Sequence, residues 1–396
     1  MDIKALRRYL DAHQDEMLAS LEDLVNHESP STDKAHLDAL AEVLAQRWRD
    51  LGAEVRIVKN VERGNHVRVL VPSTSPEANT RPPAVILGHF DTVWPLGTLD
   101  RKPFMVDGGR ATGPGVYDMK GGLVIAEFAV RAIQDLGLVL PRPVVLVLNA
   151  DEEIGSSTSQ ALIECEALKA AYVLVLEPAV PGGALKTARK GVGAFSVEVT
   201  GLASHAGSAP QEGVSAVEEL AHQILRLHGF TDYEVGTTVN VGAIEGGSRS
   251  NVVAARARAD IDTRAWTQEE ARRIEAVILG LQPFNPQTQV VVSGSFERMP
   301  LERTDGTVAL LETARRVGQE MGLDLEEGSS GGGSDGNFTS ALGIPTLDGL
   351  GVVGDGAHAE HEYVEIASLP ERAAVVAGLL CEAGPHPHPN LPPLPR

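Results

Sequence analysis

The stretch AVILGHFDTVWP, residues 84–95, decides the fold. An unbroken apolar run, AVILG, reads as a strand buried on both faces, and it ends at His89 with Asp91 two positions on. In a parallel sheet covered by helices, ligands bind just beyond the carboxyl ends of the strands, so this pair stands where chemistry collects.

Working outward, apolar runs alternate with helical patterns from Ala84 to Glu177: AVILG, GGLVIAEFAVRAIQDLG, PVVLVLNA, STSQALIECEALKA and AYVLVLE. That alternation predicts an α/β fold with a mostly parallel sheet. Polar residues follow each strand: His89 and Asp91, then Asp151, Glu152 and Glu153 in NADEEIGS, then Glu177 in LVLEPA. Asp118, in GPGVYDMKGG, directly precedes a helix.

Between Gly191 and Gly294 the order becomes strand, helix, strand, strand, helix, strand. This βαββαβ order predicts a ferredoxin-like module inserted in the larger domain, with one strand spanning NVVAARARADIDTR. The expected organisation is a first catalytic part at 1–188, the insert at 189–299, a second catalytic part at 300–384 and a Pro-rich tail at 385–396. His386 and His388 fall in that tail and read as exposed.

Composition narrows the function. With 54 acidic against 34 basic residues, the net charge of −20 and the lack of a basic stripe argue against nucleic acid and anionic membrane as partners. Cys165 and Cys381 are too few for a disulfide framework or a thiolate zinc site, so any metal falls to His and carboxylates. The first thirty or so residues read as a charged amphipathic helix without the features of a secretory signal, and no run approaches the roughly twenty apolar residues of a membrane span. A cytoplasmic protein is expected.

A single histidine at a strand end is more often structural than a ligand, and a Glu-Glu pair is usually solvated surface. Five residues together, His89, Asp118, Glu153, Glu177 and His358, change that weighing. Two imidazoles and three carboxylates can hold two zinc ions if one carboxylate bridges them, leaving room for water and substrate. Asp91 then has the task of accepting the other ring N–H of His89. Glu152, adjacent to Glu153 and so aimed elsewhere, is left to move a proton between water and a leaving nitrogen.

The motifs GHFDTVWP, GPGVYDMKGG, NADEEIGS, LEPA and GAHAEHEYV, in this order, resemble the signatures of the di-zinc exopeptidases and deacylases, the family of glutamate carboxypeptidase, aminoacylase, acetylornithine deacetylase and succinyl-diaminopimelate desuccinylase. The resemblance spans nearly the whole chain. It implies one zinc on His89, Asp118 and Glu177 and another on Asp118, Glu153 and His358, with cobalt or manganese as substitutes. It further implies Glu152 as general base and a cis peptide after Asp118.

The same resemblance makes the insert a lid through which two copies form a homodimer. His205, in GLASHAGSAP, would reach the partner's site and steady an oxyanion; Asn251 and Arg264 would grip a substrate carboxylate, helped by the backbone of Gly331, Gly332 and Gly333. For Arg256 and Arg258, a salt-bridged strand face with Asp260 and Asp262 is a serious rival reading. His361 is set aside because the spacing to EYV favours His358; Lys190 reads as structural; Trp94 and Pro95 read as shaping an apolar subsite, with core packing an equal alternative for Trp94.

The expected function is therefore a metallo-exopeptidase, glutamate-carboxypeptidase-like, cutting a terminal amide of a short peptide or N-acyl amino acid. Aminopeptidase or N-acyl-amino-acid deacylase action is the alternative. An inactive metal-binding scaffold is a remote one, since Glu152 and all five ligands are in place.

Overall fold

The computed structural model describes residues 2–382, so the expected tail at 385–396, with His386 and His388, lies outside the described residues. The chain divides into two compact units. One takes in the chain up to Thr187, Arg303–Ser330 and Ser334 onward; the other takes in Ala188–Glu302 and Gly331–Gly333. The glycine loop Gly331–Gly333 thus packs with the insert, although the expected boundaries put it in the second catalytic part.

A six-stranded sheet forms the first unit, in the order Glu54–Val58, His66–Val71, Val144–Asn149, Ala84–His89, Tyr172–Val175, Thr346–Leu347. Its last four strands are mutually parallel, while the first two pair antiparallel at one edge. Alternation along Ala84–His89 explains the apolar run. Val85 and Leu87 pack into a core with Ile163, Ala167 and Phe338, whereas Ala84 and Ile86 enter a second core with Leu123, Leu174 and Val376. A strand with no solvent face has no polar positions until it ends, and each buried Val, Leu or Ile in it contributes about 1.5–3 kcal/mol.

His89 is the last residue of the central strand, in register with Asn149, so the loops after Ala84–His89, Val144–Asn149 and Tyr172–Val175 emerge at the same sheet edge. A smaller sheet, in the order Gly354–Asp355, Tyr363–Glu365, Arg110–Thr112, Met105–Asp107, carries the hairpin loop containing His358. The expected single N-terminal helix is two, Ile3–Ala12 and Gln14–Val25, broken at His13, whose ring stacks on Tyr9 and lies 2.7 Å from the Tyr9 carbonyl.

The second unit has the βαββαβ order and an antiparallel sheet ordered Thr238–Gly246, Arg256–Ala265, Gly191–Thr200, Gln289–Arg298. Phe195, Val197, Val199, Ala259 and Ile261 face its helices. Ser215 and Thr267 cap those helices by accepting the N–H of Glu218 and Glu270. The expected strand from Asn251 begins only at Arg256; the preceding residues make an isolated bridge, His205 to Val252, instead of a ladder.

Candidate metal centre

His89 is 1% exposed, and its two ring nitrogens face different tasks. Nδ1 lies 3.0 Å from the carbonyl oxygen of Asp91 and 3.4 Å from its carboxylate Oδ1. Nε2 is 3.2 Å from Asp118 Oδ1 and 3.3 Å from Glu177 Oε1. A proton held on Nδ1 by the Asp91 carbonyl leaves the Nε2 lone pair directed at the carboxylates, the orientation a metal ligand needs. The Asp91 carboxylate has further partners: its two oxygens accept the backbone N–H of Glu152 and of Glu153, each at 3.2 Å. Asp91 therefore touches His89 more closely through its backbone than through its side chain, and its side chain fixes the acidic turn.

Asp118 lies in an extended conformation within the turn Val116–Lys120, and the peptide joining it to Met119 is cis. Its second carboxylate oxygen is 3.5 Å from His358 Nε2, which is also 2.9 Å from Glu153 Oε2. One carboxylate thus faces two imidazoles, one through each oxygen. His358 has φ 61°, a left-handed conformation that costs a non-glycine residue about 1–3 kcal/mol and marks a place fixed by its surroundings. It is His358, itself half-exposed, and not His361 that faces the acids.

Ligand atoms of His89, Glu152 and Glu177 lie within 4.8 Å of one another, as do those of His89, Asp118 and Glu153. Four carboxylates thus converge with two imidazoles, and their charges need compensation. For His89, burial alone would lower the ring pKa, but Asp118, Asp91 and Glu177 hold it well above the usual range. Asp118 and Glu153 raise His358 to about 10, while burial pushes Glu153 up to about 7 against the pull of His358. Glu153 Oε1 is buried without a hydrogen-bond partner. An orphaned buried oxygen, a nitrogen and oxygen donor set and surplus negative charge all fit a divalent cation.

Several residues around the centre had no metal-site role expected from the sequence. Glu362, fully buried, accepts the N–H groups of Trp94, Gly115, Tyr117 and Asp118. In the sequence it is the Glu of EYV in GAHAEHEYV, the reference point that singles out His358. Trp94 is therefore buried and bonded, which favours the core reading, and Lys102 Nζ sits 4.2 Å from its ring centroid. Behind the acidic turn, Asp151 accepts from Thr158 and Ser159, and Asn149 donates to Asp335. His66 receives the N–H of Ala150, and burial lowers its pKa.

The remaining expected site residues belong to the second unit. His205 is exposed, and its Nδ1 accepts the N–H of Gly207 at 3.1 Å and Ser208 at 3.0 Å. Accepting at Nδ1 puts the ring proton on Nε2, leaving an outward donor. Asn251 is exposed, and its carbonyl accepts the N–H of Ala206. Arg264 makes a two-point pair with both oxygens of Asp262 at 2.9 and 2.8 Å, and Arg258 donates from Nε and Nη2 to Oδ1 of Asp260 at 3.1 and 2.9 Å. The salt-bridged face thus includes Arg264. The carbonyls of Gly332 and Gly333 accept from Arg189 Nη1 at 3.2 and 3.1 Å. Lys190 lies 5.2 Å from the centroid of Trp266.

A doubly covered α/β sheet that gathers histidines and carboxylates beyond its strand ends, with a ferredoxin-like insert, defines a metallopeptidase-type hydrolase. The sequence profile of Peptidase family M20/M25/M40 matches residues 85–382, and the chain belongs to this family. Carboxypeptidase G2 of Pseudomonas sp. (strain RS-16) is 30% identical over 382 residues, 94% of this chain and 90% of that one. Among solved structures, aminopeptidase PepT from Bacillus cereus superposes with a TM-score of 0.77 at 24% identity, covering 93% of this chain and 98% of that one. The Bacillus subtilis YXEP protein, described as a dinuclear metal-binding peptidase, superposes at 0.69 with 15% identity, covering 94% and 98%. No helix among the described residues is long and apolar enough to cross a membrane.

Proposed function

We propose that this chain is a two-zinc exopeptidase that removes a C-terminal residue, or an N-acyl group, from a small substrate with a free carboxylate. The observation that carries the reading is the Asp118 carboxylate placed between His89 and His358, with Glu177 beside the first and Glu153 beside the second. His89, Asp118 and Glu177 would hold one ion, and Asp118, Glu153 and His358 the other. Bound metal would acidify water and polarise the scissile carbonyl. Glu152 accepts the proton of the attacking water on its carboxylate and returns it to the leaving nitrogen.

In a homodimer formed through the insert, the partner subunit's His205 would donate its Nε2–H to the developing oxyanion. Asn251, Arg264 and the N–H groups of Gly331, Gly332 and Gly333 would hold the substrate carboxylate. The likeness to carboxypeptidase G2 and the Glu at position 177 support carboxypeptidase action over aminopeptidase action. Two free thiols, Cys165 and Cys381, suit a cytoplasmic location.

The test is a matched panel offered to the zinc-loaded protein: N-blocked dipeptides with a free carboxylate, N-acetyl amino acids, and free-amine peptides with an amidated C-terminus. Cleavage confined to free carboxylates is expected. Cleavage of the amidated, free-amine peptides would make the enzyme an aminopeptidase and remove Asn251 and Arg264 from their role.

A further inference from the structure

Glu362 is buried and receives only donors. Its Oε2 accepts Trp94 Nε1 at 2.8 Å and the Gly115 N–H at 3.1 Å; its Oε1 accepts the N–H of Tyr117 at 3.0 Å and of Asp118 at 3.2 Å. These partners come from separate parts of the chain. Trp94 lies five residues after His89, Gly115 to Asp118 form the turn that carries Asp118, and Glu362 itself lies four residues after His358.

Further bonds tie in the rest. The hydroxyl of Tyr117 donates to the carbonyl of Ala179, two residues beyond Glu177, at 2.8 Å. Lys102 donates to the carbonyl of Ala359, next to His358, at 3.1 Å. Four segments bearing candidate ligands are thus linked through one carboxylate and the turn it grips.

We propose that Glu362 is a positioning residue that holds the His89, Asp118 and His358 segments at the spacing required for metal binding. This rests on the two-metal reading above. The physical argument is that a bridging carboxylate must keep both oxygens aimed, and the backbone of Asp118 is anchored at its N–H by Glu362. A neutral amide cannot substitute, because its NH2 group would meet two N–H donors where the carboxylate offers an oxygen. An aspartate keeps two acceptors but withdraws them by roughly 1.5 Å, one carbon–carbon bond.

The test uses full-length protein stripped by chelator and titrated with Co2+, read by calorimetry and by visible absorption, which reports ligand geometry. Glu362→Gln should weaken Co2+ binding by roughly tenfold or more, the usual effect of losing a group that orients ligands, and should shift the visible band. Glu362→Asp should recover part of the affinity. A Glu362→Gln protein that binds Co2+ with the wild-type isotherm and band, whatever its melting temperature, would reduce Glu362 to a structural cap and overturn the proposal.

If Glu362→Gln does not fold, Trp94→Phe removes a single donor and keeps the carboxylate. A fall in affinity of a few fold is then expected, and an isotherm superimposable on wild type would count against the proposal. Wild-type protein that takes up fewer than two Co2+ ions would instead defeat the two-metal reading, and the shortfall of the variants at whichever site fills would still decide the role of Glu362.

Discussion

Glu153 Oε2 lies 2.9 Å from His358 Nε2, while its sequence neighbour Glu152 is grouped with His89 and Glu177. Adjacent carboxylates therefore reach different partners around His89, on a turn pinned by Asp91, which accepts both of their backbone N–H groups. Glu152→Gln should abolish turnover while metal content stays near two per chain. Glu153→Gln should lose metal from the His358 side. Elemental analysis after gel filtration decides, and metal loss in Glu152→Gln with retention in Glu153→Gln would mean that the two roles are exchanged.

His205 offers a donor at Nε2 because its Nδ1 is occupied by two backbone N–H groups. His205→Ala should lower kcat by roughly a hundredfold, the typical cost of losing one oxyanion donor, with little change in KM. A kcat equal to wild type would return the residue to the role of a turn histidine.

How much of this was legible in the sequence follows from what each residue type reports. The run AVILG is apolar because both faces of its strand are covered, so the sheet, the strand end and His89 could be read directly. Asp118, Glu153, Glu177 and His358 were visible as polar residues that end apolar runs or stand in glycine-rich turns. Glu362 was visible as the Glu of EYV but its role was not, because the four N–H donors that satisfy its carboxylate come from distant segments. The same holds for Asp335, bonded to Asn149 across 186 positions. The break at His13 escaped because the apolar periodicity runs on through it. Alternation put Arg264 and Asp262 on one face, but which arginines would pair depended on side-chain geometry.

The pairing of Arg264 with Asp262 has a kinetic consequence. If Arg264 grips the substrate carboxylate as proposed, that carboxylate would compete with Asp262 for the guanidinium, and a part-exposed pair of this kind is worth about 0–1 kcal/mol. Arg264→Met should raise KM for substrates with a free carboxylate, whereas Asp262→Asn should lower it by a few fold at unchanged kcat. Steady-state kinetics on one N-blocked dipeptide suffices, and an Arg264→Met enzyme with wild-type KM would exclude the contact.

Protonation of the metal-free centre gives a pH dependence of definite sign. Asp118 and Glu153 raise His358 from its ordinary value to about 10, so the folded state holds a proton that the unfolded chain releases near pH 6.5. The associated stability is fully present below that pH and is lost as pH climbs through about 10. Glu153, raised to about 7 by burial, acts in the same direction from its ordinary 4.5 upward. Chelator-treated protein should therefore melt at progressively lower temperature from pH 5 to 9, and His358→Gln should flatten that slope. Equal slopes in the two proteins would show that the histidine is not coupled to these acids.

Gly122 tests how tightly the Glu177 segment is seated. A Cβ at this position would fall 2.2 Å from the carbonyl oxygen of Leu176 and 3.1 Å from its Cβ, so backbone must move to admit even a methyl group. The helix Gly121–Asp135 approaches the strand end this closely because it starts with two glycines. Gly122→Ala replaces a residue with low helix propensity by the best helix former, which alone would stabilise the helix by up to about 1 kcal/mol. Overpacking costs about 1–3 kcal/mol and should win, since the obstacle is a carbonyl and not a flexible side chain. The variant is expected to melt earlier, and because Leu176 immediately precedes Glu177, to bind metal more weakly on the His89 side. A melting temperature above wild type with unchanged metal affinity would show that the segment yields freely and that the close approach does not set the position of Glu177.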